Sequence, residues 1–178
     1  NPTASSIDTP LHAFVPYKHV DHMHPDAAIA VAAAEDSQRL TAEIFGDEIG
    51  WLPWKRPGFE LGLMLRDLCR ANPNLKGAIL GSHGIINWSD DPRDCYELTL
   101  RLIGQAQTYI DERGAGRSAF GARVQVAKPA ESFASFLPEL RGKVAYEGKR
   151  LIAHTRDDEA LLAFLESEKM RSLARAFS

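Results

Sequence analysis

Hydrophobic positions change period several times along this chain, and each change marks an element. Val20-Asp21-His22-Met23-His24 reads as part of an extended strand over His19 to His24. Its period of two puts His22 and His24 on one face, roughly 7 Å apart at Cα. Pro25-Asp26 then opens the run Ala27 to Ala34, whose alanine content favours helix and whose all-round apolarity favours burial. A second helix is expected from about Asp36 to Phe45, stopping at Gly46. Leu61, Leu65 and Leu68 form one stripe of a helix over Gly58 to Arg70, ended by Asn72-Pro73. Gly77 to Gly81 is a buried-looking strand that runs out into His83-Gly84, and Ile85-Ile86-Asn87-Trp88 is its hairpin partner. Ser89-Asp90-Asp91-Pro92 places capping and acidic residues before a proline suited to the first helical position. Leu98, Leu102, Ala106 and Ile110 carry that helix to about Glu112, with a stop at Arg113-Gly114.

Other stretches are less regular. Residues 1 to 11, rich in Ser, Thr and Pro, read as a loop, and Leu11 to Val15 as a short strand or turn interrupted by Pro16. Residues 47 to 57 read as a connection carrying Trp51, Pro53, Trp54 and Pro57 with Lys55 and Arg56. This loop either packs on the core or lines a pocket or subunit contact, because two tryptophans are costly to leave exposed. Gly114 to Gly121 invites a phosphate-loop reading, but it follows a long helix instead of a strand and its glycine spacing is wrong. It reads as a flexible link. Beyond it, a helix is expected near Pro129 to Leu140, a strand near Arg150 to His154, and one or two helices from Asp157 to Ala176, with Thr155 and Asp158 offering a capping box.

Composition narrows the function. A chain of 178 residues can bury a real core, and its net charge of −3 with no basic cluster argues against nucleic acid as a partner. The longest apolar run is too short to span a bilayer, and the N-terminus lacks a basic-then-apolar signal pattern, so no membrane partner is expected. Two cysteines, Cys69 and Cys95, both in helical segments, indicate neither a disulfide framework nor a cysteine-rich zinc site, and fit a reducing, cytoplasmic compartment.

The candidate chemistry lies in histidines. His22 and His24 form half of a chelate, and His83, at a strand end, is the best offer for a third ligand. Three imidazoles with an open position make the catalytic form of a zinc site. By spacing alone the pair reads somewhat more readily as surface or hydrogen-bonded histidines, since His-x-His is short and common. His12, His19 and His154 read as structural or exposed.

The order His22-x-His24-Pro25, an Ala-rich helix and a strand ending in His83-Gly84 resembles the class II aldolase/adducin family over about residues 5 to 113. Ser5-Ser6-Ile7-Asp8-Thr9-Pro10-Leu11-His12, Ile49 to Gly58 and Leu80 to Ile85 look more closely like the aldolase part of bifunctional rhamnulose-1-phosphate aldolase/short-chain dehydrogenases. That narrower likeness runs to the chain's end. The resemblance implies an α/β/α sandwich around a mostly antiparallel sheet, in a metal-binding domain over residues 1–125 followed by a helical and strand extension over 126–178. It implies Zn2+, or another divalent ion, on His22, His24 and His83. Asp8 falls where the family has a catalytic Glu, one methylene longer, and Ser5 and Ser6 fall where it binds substrate phosphate.

The activity implied is metal-dependent aldehyde-lyase chemistry in carbohydrate metabolism, within rhamnose catabolism. L-Rhamnulose 1-phosphate would be cleaved to dihydroxyacetone phosphate and L-lactaldehyde. The family often takes a proton donor from a neighbouring subunit's tyrosine, and Tyr17, Tyr96, Tyr109 and Tyr146 are available here without one being singled out. A homo-oligomer, by resemblance a tetramer, is expected. The family's Gly-Asn phosphate loop and the dehydrogenase half are expected to lie outside this chain. Fold alone leaves open a pentulose-phosphate 4-epimerase or a non-catalytic adducin-like oligomerisation module.

Overall fold

Four strands make one mixed sheet in a computed structural model that describes residues 3–118, 120–124, 130–149, 151–154 and 158–176. They are β1 (His19–Met23), β2 (Ile49–Leu52), β3 (Gly77–Leu80) and β4 (Gly84–Ser89), in the spatial order β1-β4-β3-β2. The β1/β4 and β3/β4 pairings are antiparallel and β2/β3 is parallel, so the sheet is mostly antiparallel, as expected. The parallel pair needs a crossover, which contains α4 (Phe59–Ala71).

Alternation along each strand builds two cores. Leu52, Ala78, Leu80, Ile86 and Trp88 face one side and pack with Leu11 of α1 (Thr9–Phe14) and with Leu61, Leu65 and Cys69 of α4. Ile49, Ile79 and Ile85 face the other. There they meet α2 (Asp26–Ala32), α3 (Ser37–Phe45) and α5 (Pro92–Gly114) through Ala28, Val31, Phe45, Leu98 and Leu102. Fully burying one such aliphatic side chain contributes about 1.5–3 kcal/mol. The α/β/α layering follows from helices covering both faces of a sheet that is apolar on both.

Three local expectations are corrected. Leu11 to Val15 is not a strand or turn, because residues 9 to 14 form α1: Pro10 occupies an early helical position and Leu11 is fully buried. Its close approach to α4 depends on Gly62, where a Cβ would lie 2.8 Å from Pro10 Cβ. The connection 47–57 contains β2, after a short 3-10 turn Gly46–Glu48. Trp51 packs on the core and donates from Nε1 to Ser37 Oγ at 3.0 Å, whereas Trp54 is 63% exposed. Leu151 to His154 takes no regular structure, the β-branched and apolar signal there finding no neighbouring strand among the described residues.

The chain divides into two compact units, Asn1–Ala115 and Gly116–Ser178, at the glycine-rich link. The second contains α6 (Ala130–Val144), α7 (Glu159–Leu165) and α8 (Glu168–Ala176). Asp158 caps α7 by accepting from the Leu161 N–H at 3.0 Å, while Thr155 lies outside the described residues. Phe120 meets Phe164 edge-on, and Ser167 is fully buried where it caps α8. No described helix is long and apolar enough to cross a membrane.

Candidate metal centre

β1 and the turn from β3 to β4 bring three imidazoles together. The strand's pleat turns His22, like Val20, towards the core that holds α1 and α4. His24 stands just past the strand, before Pro25, whose extended backbone leads into α2. His83 sits in the turn between β3 and β4, which is tied down on three sides. Gly81 N–H donates to the Leu52 carbonyl at 2.8 Å, Ser82 N–H to Ala32 at 2.7 Å, and His83 N–H to Leu80 at 3.0 Å. Ser82 takes φ 54°, a left-handed conformation uncommon outside glycine. The bond to the C-terminal end of α2 holds it there.

Gly84 makes the junction possible. A Cβ on it would stand 2.6 Å from His24 Cδ2 and 2.6 Å from the Met23 carbonyl oxygen. Ring centroids lie 4.8 Å apart for His22/His24 and 4.9 Å apart for His22/His83 and for His24/His83. One nitrogen from each falls within 4.8 Å of the others. His22 Nε2 and His83 Nδ1 are buried with no hydrogen-bond partner among the described residues. Buried polar atoms are rarely left so, and a ligand is one way to satisfy them. Burial pulls His22 down from 6.5 to about 4, helped by His83 and His24 and opposed by Asp8. Burial, then His24, lowers His83 as well, with Asp8 again opposing. Both effects favour neutral imidazole, the form that ligates a metal. The donor set fits a divalent ion.

A cleft of about 550 Å³ opens on this cluster, lined by Ser6, Asp8, Thr9, His12, His22 and His24 among others. Asp8 is the N-cap residue of α1, yet its side chain makes no capping hydrogen bond, and its backbone N–H donates to Ser6 Oγ at 3.2 Å. Ser5 is not part of that cleft; with Ser6 it lines the adjoining depression against Phe14, Gly58 and Phe59. None of the four candidate tyrosines lines the cleft among the described residues. Tyr17 stacks on Trp88 and donates to the Pro73 carbonyl, and Tyr109 lies under Arg113.

His12, read from the sequence as structural or exposed, is exposed, and its ring centroid is 6.5 Å from that of His22. The signal was its spacing of four from Asp8, which puts both on one face only if α1 is helical.

A family model for the class II aldolase and adducin N-terminal domain matches residues 1–110. The uncharacterized oxidoreductase YuxG of Bacillus subtilis (strain 168) is 33% identical over 174 residues, covering 96% of this chain. The chain spans about a quarter of that relative's length, 25%. Among solved structures, the N-terminal class II aldolase domain of a conserved protein from Thermoplasma acidophilum is 30% identical with a TM-score of 0.55, over 59% of this chain and 48% of that one. A sugar-phosphate aldolase from Thermotoga maritima shares the fold at 17% identity and a TM-score of 0.53, over 63% of this chain and 56% of that one.

Proposed function

Because the chain belongs to the class II aldolase and adducin family, we propose that it is the aldolase part of a lyase that cleaves a ketose 1-phosphate, L-rhamnulose 1-phosphate first, to dihydroxyacetone phosphate and L-lactaldehyde. The observation that carries this reading is the convergence of His22, His24 and His83, two of them with buried nitrogens that lack a hydrogen-bond partner among the described residues, beside a cleft that His22 and His24 line. These three would hold the divalent ion, zinc in first place. Bound there, the ion supplies a Lewis acid that draws electron density from a substrate carbonyl. Asp8 lines the same cleft, where its carboxylate can hold or exchange a proton at the carbon beside that carbonyl. Ser6 and Ser5 offer hydroxyls to the phosphate, one in the cleft and one in the depression beside it. Thr9, His12 and Ala13 form the α1 side of that cleft.

The relative named an oxidoreductase is about four times longer than the segment it shares with this chain, and this supports the reading that the aldolase unit works beside a redox domain in the whole protein. A homo-tetramer is proposed for that whole protein, and sedimentation as a monomer would contradict it. The two cysteines are free and buried, in keeping with a reducing compartment such as the cytoplasm. Incubating the zinc-loaded, full-length protein with L-rhamnulose 1-phosphate and, separately, with ribulose 5-phosphate tests the reaction. Release of dihydroxyacetone phosphate from the first supports cleavage. Turnover of only the second would replace the lyase with a 4-epimerase, and turnover of neither beside stable assembly would favour an adducin-like module.

A further inference from the structure

Asp21 immediately precedes His22 on β1, so the pleat sends its side chain to the opposite face, where α5 packs. A buried polar cluster receives it. Thr99 Oγ1 lies 2.8 Å from Asp21 Oδ2, 2.9 Å from Asn87 Oδ1 and 3.0 Å from the Cys95 carbonyl oxygen. Asn87, the register partner of Asp21 on β4, is fully buried and donates from Nδ2 to that same carbonyl at 3.0 Å. Thr99 is 4% exposed. With the asparagine amide turned to Cys95, the atom that faces Thr99 is an acceptor, so three oxygens surround a hydroxyl that has one hydrogen to give. Charge decides the contest: the carboxylate is the strongest acceptor of the three, and Thr99 donates to Asp21.

β1 needs such a tie. It is an edge strand, hydrogen-bonded to β4 on one side only within the sheet. A slip of one residue would carry His22 to the wrong face, and β1 has only the β4 ladder within the sheet to resist it. His24 stands beyond the last paired residue, Met23, so its aim depends on how the strand is held before it. We infer that Thr99 is a positioning residue for the metal centre: by binding Asp21 on the α5 face, it fixes the register and roll of β1 and thereby aims His22 and His24 into the cleft on the other face. This rests on reading His22, His24 and His83 as metal ligands.

The test is a Co2+ titration of the metal-free protein, read as dissociation constant and as the visible absorption spectrum, which reports coordination geometry. Thermal unfolding is measured beside it. Thr99→Val fills the same space without a hydrogen to donate, Thr99→Ser restores the donor, and Leu102→Val weakens the core of the same helix away from the tie. Thr99→Val should bind Co2+ about tenfold or more weakly with a changed spectrum, in the range seen when outer-shell groups of metal sites are removed. Thr99→Ser should return towards the wild type, and Leu102→Val should lose thermal stability with affinity unchanged. Wild-type affinity and spectrum in Thr99→Val, or an equal loss in Leu102→Val, overturns the inference. Should Thr99→Val not fold, Asp21→Ala, which removes the acceptor, is read on the same scale, with the same loss expected and unchanged affinity overturning it. A wild type that takes up no Co2+ sinks the ligand reading itself, and the positioning role falls with it.

Discussion

Replacing Gly84 by alanine would drive one methyl group into the junction that sets the histidines. The new Cβ would stand 2.6 Å from both His24 Cδ2 and the Met23 carbonyl oxygen, and 3.4 Å from His24 Nε2. Carbon atoms in contact prefer roughly 3.5–4.0 Å, so something must give by about an ångström. The His24 ring can swing away, but the Met23 carbonyl is part of β1, whose register against β4 pairs Met23 with Ile85. The strand therefore moves as well as the ring. Overpacking of this kind costs about 1–3 kcal/mol, which for a domain of this size lowers Tm by roughly 3–10 °C. The distinctive result is in metal affinity, because the displaced ring is one of the proposed ligands. Differential scanning fluorimetry with and without Zn2+ reads both effects: the variant should melt earlier and gain less stability from zinc than the wild type. A Gly84→Ala protein with the wild-type Tm and the wild-type zinc shift would refute the close-packing argument.

Gly104 gives the opposite expectation: it lies inside α5 with nothing within 4 Å of an added Cβ, so Gly104→Ala should stabilise by about 0.5–1 kcal/mol in chemical denaturation. Asp91 caps α5 by accepting from the Arg93 and Asp94 N–H groups at 2.8 and 3.0 Å, and Asp91→Ala should cost about 1 kcal/mol on the same curve. The pH dependence follows from His22, whose pKa falls from 6.5 unfolded to about 4 folded. The unfolded chain binds more protons across that window. The metal-free protein should therefore lose stability as pH falls from 6.5 to about 4 and lose no more to this group below it. Allowing for solvent screening of a partly exposed ring, the loss is about 1–2 kcal/mol, and urea titrations at intervals of pH check it. A flat profile through the window would count against burial of His22.

Elements with a long, regular apolar period were legible in the chain. The stripe through Leu98, Leu102 and Ala106 and the cap at Asp91 mark α5 at both levels, and the alternation around His22 marks β1. Short elements were not, because their stability comes from distant partners. α1 has six residues and one fully buried side chain, and it exists because Gly62 lets α4 approach it. β2 is four residues long and hides among Gly, Trp and Pro, becoming a strand through its pairing with β3. Reading Leu11 to Val15 as a strand or turn also hid the place of His12 on α1, from which it lines the cleft. The meeting of His83 with the His22/His24 pair was legible only as the best offer at a strand end and through the family resemblance, not in its geometry. It depends on the β3–β4 turn, on Ser82 held at positive φ, and on a glycine at position 84. The tie between Thr99 and Asp21 joins residues 78 positions apart and is equally invisible to periodicity.

The most direct test of the central claim is elemental metal content of the purified chain, measured beside a His83→Ala variant. The account predicts about one zinc per chain in the wild type and its loss in the variant, which would join His83 to the His22/His24 pair as one site. Absence of metal from both proteins, with added zinc changing nothing, would contradict it, as would retention of the ion by the variant.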